Sequence, residues 1–539
     1  MAALAALLAA SSAVVALHPG APQRGGRGAA AAMGSTRAQP HLGGTLTIAL
    51  PLSEPRNLDP AFAVEPAERT LAASLFTGLT RLDPDGAVRP AVAASWSHDA
   101  SLRHWRFTLR PGARFSDGSP IQAADVKFAW ERLASPKLQP RPSPLRYLLA
   151  LVEGYQPYAS GHARAISGLS VLDAGTLQVD LSQPFADFPT VVASPSLAPL
   201  PRALAASDPV GFAAAPVGEG PFMLRRPAQP GQPLELLRNP VTPGPTAYLD
   251  RVRVVLEPDP QTAWLAFQHG EVQAAPVPAD QLAAAKTIEG AALLQAPTAT
   301  TWSLNFNLRS KPFADPRWRR AVALAINRPR LAAAFAGART LASGIIPDPI
   351  PGAAHTPCTA CTADPTYARA LLSQLKPATG ITLTLAIPAT AADQRIAQLL
   401  AADLRAVGLT LKLRPIAPSA YLSALTAAQP PVQLFTLPWT GDPPLADTFL
   451  FDQFTSHGTL NLTGYRDHAT DTLLTQARAT ADPTARLRLD QQAESTILAQ
   501  TPTIPLLEAR IAYALAPTVE GANIAPTGAL TLATISLAT

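Results

Sequence analysis

The two cysteines of the chain lie close together, in the segment Cys358-Thr-Ala-Cys361, with His355 just upstream. The surrounding loop is rich in proline and glycine. Two cysteines and one histidine do not complete the tetrahedron of a zinc site, and a redox Cys-x-x-Cys motif normally opens a helix after a strand. In an exported protein the simplest interpretation is a local disulfide between Cys358 and Cys361. A metal site and a redox site are the alternatives.

Local motifs of catalysis are absent from the sequence. It contains no G-x-S-x-G nucleophile segment, no H-E-x-x-H zinc helix, no Walker loop and no strand-bounded G-x-G-x-x-G. The segment Gly218-Glu219-Gly220-Pro221 imitates a nucleotide loop, but Pro221 and the lack of a third glycine argue against that function. The nine histidines are scattered without the spacing of metal ligands. We therefore predict no enzymatic activity, no metal and no cofactor, and keep a hydrolase as an alternative.

The composition is that of a globular protein with more than one domain. The chain has 539 residues, of which 47% are hydrophobic and 15% charged. The formal net charge of +5 is spread along the chain, and the densest basic group, Arg317, Arg319 and Arg320, falls on a predicted helix. We interpret this group as a solvated helix face. Without a concentrated basic patch, we predict no nucleic-acid partner.

The N-terminal segment indicates export. Residues 1–17 are uncharged and rich in alanine, leucine and valine, which suits the apolar region of a signal peptide. Residues 18–40 are rich in glycine, alanine, proline and arginine. We predict that residues 1–42 form a signal peptide and flexible leader. The expected location is the periplasm or, alternatively, the outer face of the cytoplasmic membrane. No cysteine lies near the leader, which argues against a lipid anchor.

Hydrophobic periodicity predicts an α/β fold. Alternation predicts strands at residues 45–50 and 105–109, and apolar spacing of three and four residues predicts a helix around 126–133. Asp315 followed by Pro316 predicts the start of another helix. The clearest unit lies in residues 381–414, where strand, helix and strand follow with short connections. Such a unit implies a right-handed parallel crossover.

Several segments, in order along the chain, resemble one family. They are Gly43-Gly44-Thr45-Leu46, Asn57-Leu58-Asp59-Pro60, Leu75-Phe76-Thr77-Gly78-Leu79, Ala94-Ser95-Trp96, WRFTLRPGARFSDGSPIQAADVKFAWERL from Trp105 to Leu133, Gly218-Glu219-Gly220-Pro221-Phe222, and Asn305-Phe306-Asn307 with Pro312-Phe313-Ala314-Asp315. The chain thus resembles the family 5 extracellular solute-binding proteins, the oligopeptide, dipeptide and nickel receptors of bacterial ABC importers. The Trp105–Leu133 segment is the most specific match.

The resemblance implies an α/β fold with two lobes that close as a clamp (type II-like, cluster C) and an extra domain inserted in lobe one. Carried over, residues 43–76, 200–300 and 501–539 form lobe one, 77–199 the extra domain, and 301–500 lobe two. The implied function is to bind short peptides in the interlobe cleft and deliver them to the ABC permease in the membrane. We expect a monomer.

The resemblance also implies the site. In peptide-binding relatives, a carboxylate in a W-x-x-D segment pairs with the ammonium of the peptide, and here that segment is Trp439-Thr-Gly-Asp442. Asp442 is the predicted ammonium partner, although an Asp before two prolines also suits a plain turn. Trp439 would contact the peptide or fill the core of the lobe. Asn307 and Gly220 lie in segments that approach the cleft in relatives. The alternatives are a receptor for a metal chelate, opine or glycoside, and a ligand sensor without transport.

Overall fold

The computed structural model describes residues 40–538, apart from 53–56, 84–85, 243–245, 289, 354–360, 376–380 and 428–431. Residues 1–39 of the predicted leader therefore lie outside the described part of the chain. The described residues form a single compact unit with mixed helices and strands.

The strands of the described chain are numbered here in chain order. They are β1 (Thr45–Leu50), β2 (Thr80–Leu82), β3 (Val88–Pro90), β4 (Ala93–His98), β5 (His104–Leu109), β6 (Leu169–Asp173), β7 (Thr176–Asp180), β8 (Phe222–Leu224), β9 (Leu234–Arg238), β10 (Arg251–Leu256), β11 (Ala274–Pro276), β12 (Ala292–Phe306), β13 (Arg339–Leu341), β14 (Thr382–Pro388), β15 (Thr410–Ile416), β16 (Leu434–Thr440), β17 (Thr503–Leu515), β18 (Val519–Glu520) and β19 (Ser536–Leu537).

The α-helices are numbered in the same way. They are α1 (Pro66–Leu75), α2 (Ala123–Ala134), α3 (Tyr155–Ala159), α4 (Phe188–Val191), α5 (Arg202–Ser207), α6 (Pro209–Ala214), α7 (Pro260–Gln268), α8 (Leu282–Ala285), α9 (Pro316–Ala325), α10 (Arg328–Ala333), α11 (Pro365–Gln374), α12 (Ala391–Ala406), α13 (Pro418–Thr426), α14 (Asp447–Phe454), α15 (His468–Arg478) and α16 (Pro483–Gln500).

One large sheet runs through the molecule. Its strands lie in the order β15-β14-β16-β12-β17-β11-β1-β10-β9-β8, and β13 pairs with β17 beside this path. The pairs β14–β15, β14–β16, β1–β10 and β1–β11 are parallel, and the other pairs of this sheet are antiparallel. A separate antiparallel sheet has the order β4-β5-β7-β6. The parallel crossover predicted for residues 381–414 is confirmed as β14, α12 and β15.

Among the described residues, the two largest hydrophobic cores occupy the two ends of the large sheet, and two smaller clusters accompany them. The first core collects buried side chains from β1 to β11, from the separate four-stranded sheet and from the C-terminal segment. The second collects them from β12, β14, β16, β17 and the helices from α9 onward except α13. These cores belong to the two lobes of the fold. The boundaries given above for the lobes and the extra domain remain a proposal.

Two long neighbouring strands connect the cores. In β12, Leu294 packs against the first core and Leu304 lies in the second; in β17, Tyr513 lies in the first core and Ile504 in the second. The strands pair with each other along most of their length, but the register shifts between Pro297 and Thr301. Such a register shift disrupts the ladder locally and bends the strand, so the regular pairing of β12 and β17 is interrupted between the two cores.

The helix starts follow from local capping. Asp315 accepts a hydrogen bond from the backbone N–H of Arg317 at 2.9 Å, which confirms the predicted start of α9. The interpretation of this basic group as a solvated face is wrong for Arg319. Its guanidinium is buried and donates to the carbonyls of Phe313 at 2.8 Å and Gln500 at 2.7 Å. Arg319 thus connects the segment before α9 with the C-terminal end of α16. Helical periodicity alone does not reveal this buried contact.

Candidate functional site

Strand β16 places Asp442 where the two cores meet. The strand pairs with β12 so that Trp439 lies opposite Thr301, and the backbone N–H of Gly441 then donates to the carbonyl of Ala299 at 2.8 Å. Asp442 therefore follows the last paired residues, beside the interruption in β12 between Pro297 and Thr301. This position holds the carboxylate at the junction of the lobes.

Asp442 forms an ion pair with a residue of the first lobe. Nη1 of Arg69 lies 2.7 Å from Oδ2 of Asp442, and the side chains are 14% and 9% exposed, respectively. Arg69 belongs to α1, whose buried face packs in the first core. Its Nε donates to the carbonyl of Val64 at 2.7 Å, which fixes the direction of the guanidinium. The carboxylate of Asp442, which is predicted to bind the ligand, thus has a cationic partner from the opposite lobe.

Tyr147 lies close enough to this ion pair for both charges to act on its hydroxyl group. The loss of solvent around its hydroxyl group raises the pKa of Tyr147, the negative charge of Asp442 raises it further, and the positive charge of Arg69 lowers it. The side chain is nevertheless 45% exposed. The site therefore combines a cation, an anion and a phenol that is partly exposed but whose hydroxyl group is desolvated, from three distant segments of the chain.

The Trp-Thr-Gly-Asp segment is held by α14. The Nε1 group of Trp439 donates to the carbonyl of Thr448 at 2.9 Å. A Cβ atom on Gly441 would lie 2.3 Å from the ring of Phe449, so only glycine fits there without a shift. Trp439 also lines a small pocket together with Trp302, Phe449, Gln453 and Phe454. Trp439 packs against the second core, which is one of the two roles expected from the sequence.

Gly220 lies under the end of α1. A Cβ atom at this position would be 2.4 Å from the carbonyl carbon of Leu75, which is backbone and cannot rotate away. Its backbone N–H donates to the carbonyl of Leu75 at 3.0 Å. This contact is six residues, or about 9 Å along the helix axis, from Arg69. Gly220 thus positions α1, and its predicted contact with ligand remains a prediction.

Glu219 is fully buried beside Gly220. Its Oε1 accepts a hydrogen bond from the backbone N–H of Thr77 at 2.9 Å, whereas its Oε2 has no partner among the described residues. Burial raises the pKa of Glu219 well above its ordinary value. A neutral carboxylic acid at this position is therefore the form that the surroundings favour.

Asn307 lies at the other end of the β12–β16 ladder. Its backbone N–H donates to the carbonyl of Gln433, whereas Ala299 pairs near Asp442. Eight residues of extended strand separate Ala299 from Asn307, a distance of about 26 Å. The side-chain amide donates to the carbonyl of Val432 at 3.2 Å and accepts from the backbone N–H of Arg309 at 3.2 Å. The structure does not bring Asn307 together with Asp442.

The predicted disulfide falls partly outside the described residues. Cys361 is buried against the second core. Cys358 and His355 lie in the segment 354–360 that the structure does not describe. The bond between Cys358 and Cys361 therefore remains a prediction. Among the described residues, no group of three or more histidine, cysteine, aspartate or glutamate side chains could hold a metal ion.

Sequence reasoning missed Arg69 and Tyr147. Arg69 stands on an amphipathic helix whose first turn carries the capping glutamates Glu65 and Glu68, and a single arginine there resembles an ordinary solvent-facing residue. Tyr147 follows a proline-rich stretch without periodicity. The sequence offered one indirect indication of Arg69, because this residue shortly precedes the Leu75–Leu79 segment that resembles the family.

Comparisons with known proteins agree with this architecture. The model for bacterial extracellular solute-binding proteins, family 5, matches residues 87–461. The probable deoxycholate-binding periplasmic protein YgiS of Escherichia coli (strain K12) is 29% identical over 489 residues, covering 87% of this chain and 89% of that protein. The glutathione-binding protein GsiB of Escherichia coli O1:K1 / APEC is 28% identical over 483 residues, covering 87% and 90%.

Solved structures share the fold. The ABC transporter-associated periplasmic binding protein DppA from Helicobacter pylori, in complex with peptide STSA, superposes with a TM-score of 0.72. The superposition covers 93% of this chain and 99% of that chain at 22% identity. This confirms the two-lobed α/β fold of periplasmic binding proteins.

The chain belongs to family 5 of the bacterial extracellular solute-binding proteins. It is a substrate-binding protein of the ABC importer class. The members of this family are receptors, not enzymes, and they work with membrane permease subunits. Its relatives include periplasmic binding proteins. Within the described residues, none of the helices combines the length and apolar character needed to cross a membrane.

Proposed function

We propose that this receptor is exported to the periplasm, binds a short peptide between its lobes and delivers it to the permease of an ABC importer. The observation that carries the proposal is the position of Asp442 at the junction of the lobes, where its carboxylate faces a residue of the other lobe. The names of two similar proteins support a peptide ligand, since one binds glutathione and the other was solved with the peptide STSA.

Binding would close the clamp through contacts to both lobes. Asp442 would accept hydrogen bonds from the ammonium of the peptide, because a cation that loses water on closure needs a charged partner. Trp439, three residues before Asp442, would pack against the peptide backbone or side chains. A ligand that touches both lobes stabilises the closed state relative to the open one. The permease would recognise that closed state.

Calorimetric titration of the purified protein with di- to pentapeptides tests this function. Peptides with a free ammonium should bind, and the N-acetylated forms should bind about 10- to 100-fold more weakly because they lose a charge-assisted hydrogen bond. Asp442→Asn should weaken binding of the free peptides to a similar degree. Glu271→Gln is the control, because Glu271 is 68% exposed. Equal binding of free and acetylated peptides would remove the assigned role of Asp442.

A non-peptide carboxylate is the second candidate ligand. The deoxycholate-binding relative and the Arg69 guanidinium at the site both favour it. Titration with deoxycholate distinguishes this candidate from the peptides. A metal chelate, an opine or a glycoside would be identified by mass spectrometry of ligand that copurifies with the protein. A sensor without transport would fail to stimulate ATP hydrolysis by the cognate importer in proteoliposomes.

A further inference from the structure

Arg69 and Asp442 leave most of their hydrogen-bonding capacity unused. Nη1 of Arg69 and Oδ2 of Asp442 engage each other at 2.7 Å, whereas in the described part of the chain Nη2 of Arg69 and Oδ1 of Asp442 take part in no hydrogen bond. None of these atoms is among the buried polar atoms that lack a partner. Nη2 and Oδ1 are therefore not fully buried, within side chains that are 14% and 9% exposed, and each can still bond to a ligand. A guanidinium and a carboxylate together offer several donors and acceptors.

The two opposite charges of the pair act against ligands that carry only one charge. An isolated ammonium that approaches Asp442 is also repelled by Arg69 from nearly the same distance, and an isolated carboxylate that approaches Arg69 is repelled by Asp442. A ligand group that carries both charges side by side avoids this repulsion. It can exchange partners, with its ammonium on Asp442 and its carboxylate on Arg69, so that all four charges stay paired.

We propose that the Arg69–Asp442 pair recognises a zwitterionic amino-acid head, in which the ammonium and the carboxylate are bonded to one carbon atom. Such a head occurs at the free end of a γ-linked glutamyl peptide but not at the ammonium end of an ordinary α-linked peptide, where an amide follows. The proposal rests on the proposed receptor function and narrows its ligand class. Arg69 is then a specificity-determining residue.

The position of the two residues suits this role. Arg69 stands on α1, whose apolar face lies in the first core, whereas Asp442 follows β16, whose apolar residues lie in the second core. One small head group would therefore contact both lobes at once.

Two isomers provide a matched test of the proposal. γ-L-Glutamyl-glycine and α-L-glutamyl-glycine have the same atoms and charges, but only the γ isomer has its ammonium and a carboxylate on one carbon. Calorimetry on the full chain should show the γ isomer binding about 10- to 100-fold more tightly. Arg69→Gln should reduce this preference to less than about threefold, because the cationic partner of the carboxylate is lost while a polar, uncharged side chain remains. Arg225→Gln, at a half-exposed ion pair, should leave the preference unchanged.

Each outcome decides a different claim. Equal binding of both isomers by the wild-type protein would overturn the inference. An Arg69→Gln variant that keeps the preference would overturn it as well. Neither result would contradict the peptide-receptor function. If neither isomer and no peptide of the panel binds, the proposed function fails together with the inference. Should Arg69→Gln not fold, as judged by circular dichroism, γ-L-glutamyl-glycine amidated at its α-carboxylate supplies the same comparison. It should bind the wild-type protein no more tightly than the α isomer does.

Discussion

Asp187 and Arg486 form an ion pair between segments that are far apart in the chain, with Nη2 of Arg486 2.6 Å from Oδ1 of Asp187. Asp187 directly precedes α4, which packs in the first core, whereas Arg486 stands in the first turn of α16 beside the second core. The side chains are only 17% and 11% exposed. The contact therefore joins the regions of the two cores at a second point, away from Arg69 and Asp442.

Removing this contact should destabilise the protein. In Arg486→Ala the carboxylate of Asp187 keeps its covered position without a partner, which typically costs about 3 kcal/mol. Chemical denaturation followed by circular dichroism would measure the loss. Arg317→Ala is the matched control, because Arg317 forms an ion pair with Asp315 while 65% exposed, and it should change stability little. Equal losses in the two variants would contradict the importance of the interlobe pair.

The stability of the protein should fall as the pH rises from about 4 to about 8. Burial, together with the charges of Asp447 and Asp187, raises the pKa of Asp490 from 3.8 to about 8. In this window the folded protein holds a proton that the unfolded chain has released. Its stabilising effect is complete near the ordinary pKa and is lost as the pH approaches the raised value.

Asp490→Asn should flatten this pH dependence by about 1 kcal/mol per pH unit. Urea denaturation at several pH values would measure the slope. Burial also raises the pKa of Glu508 to about 7 and that of Glu494 to about 6, so a smaller slope of the same sign should remain below pH 7. The exposed Glu520→Gln should leave the slope unchanged. A variant with the wild-type slope would show that Asp490 is ionised in the folded protein.

Gly220→Ala should be strongly destabilising. The new methyl group would lie 2.4 Å from the carbonyl carbon of Leu75, and relief requires a shift of α1 away from the loop. A loss of about 2 to 3 kcal/mol is expected for such overpacking. Gly175→Ala is the control, because its nearest neighbour would be at an ordinary 3.6 Å. Thermal unfolding of the two variants makes the comparison, and similar melting temperatures would argue against the close approach.

Arg319→Ala should lower stability far more than Arg320→Ala. The buried guanidinium of Arg319 donates to carbonyls at the end of α16 and before α9, and the alanine variant leaves these acceptors unpaired. The expected loss is about 2 to 3 kcal/mol by urea denaturation. Arg320 is exposed and stacks only loosely over Tyr367, so its removal should be nearly neutral. Comparable effects would indicate that the Arg319 contacts contribute little.

The regular elements could be predicted because their signals are local. Alternation gave strand β1 at its observed bounds of Thr45–Leu50, and the strand, helix and strand around α12 follow from periodicity within each segment. The cap at Asp315 is also local, since it involves a backbone group two residues away. Such features need no knowledge of the rest of the chain.

The site could be predicted only in part, because its contacts join distant segments. The resemblance identified Asp442, but nothing near it in sequence indicates Arg69 on α1 as its partner. The prediction of a solvated Arg319 was wrong for the same reason, because the carbonyl of Gln500 that it binds belongs to another helix. Periodicity shows which face of an element is apolar, and it does not show which polar side chain crosses to a neighbour.

The paired course of β12 and β17 through both cores also determines how the gene can be divided. A fragment that ends near Pro297 would retain part of β12 without the β17 strand beside it, and the complementary fragment would expose the β17 edge. Unpaired edges of that kind promote aggregation or the exchange of strands between copies. Halves of this receptor should therefore fold only when produced together, which makes the polypeptide suitable for split-protein reassembly rather than for isolated-domain expression.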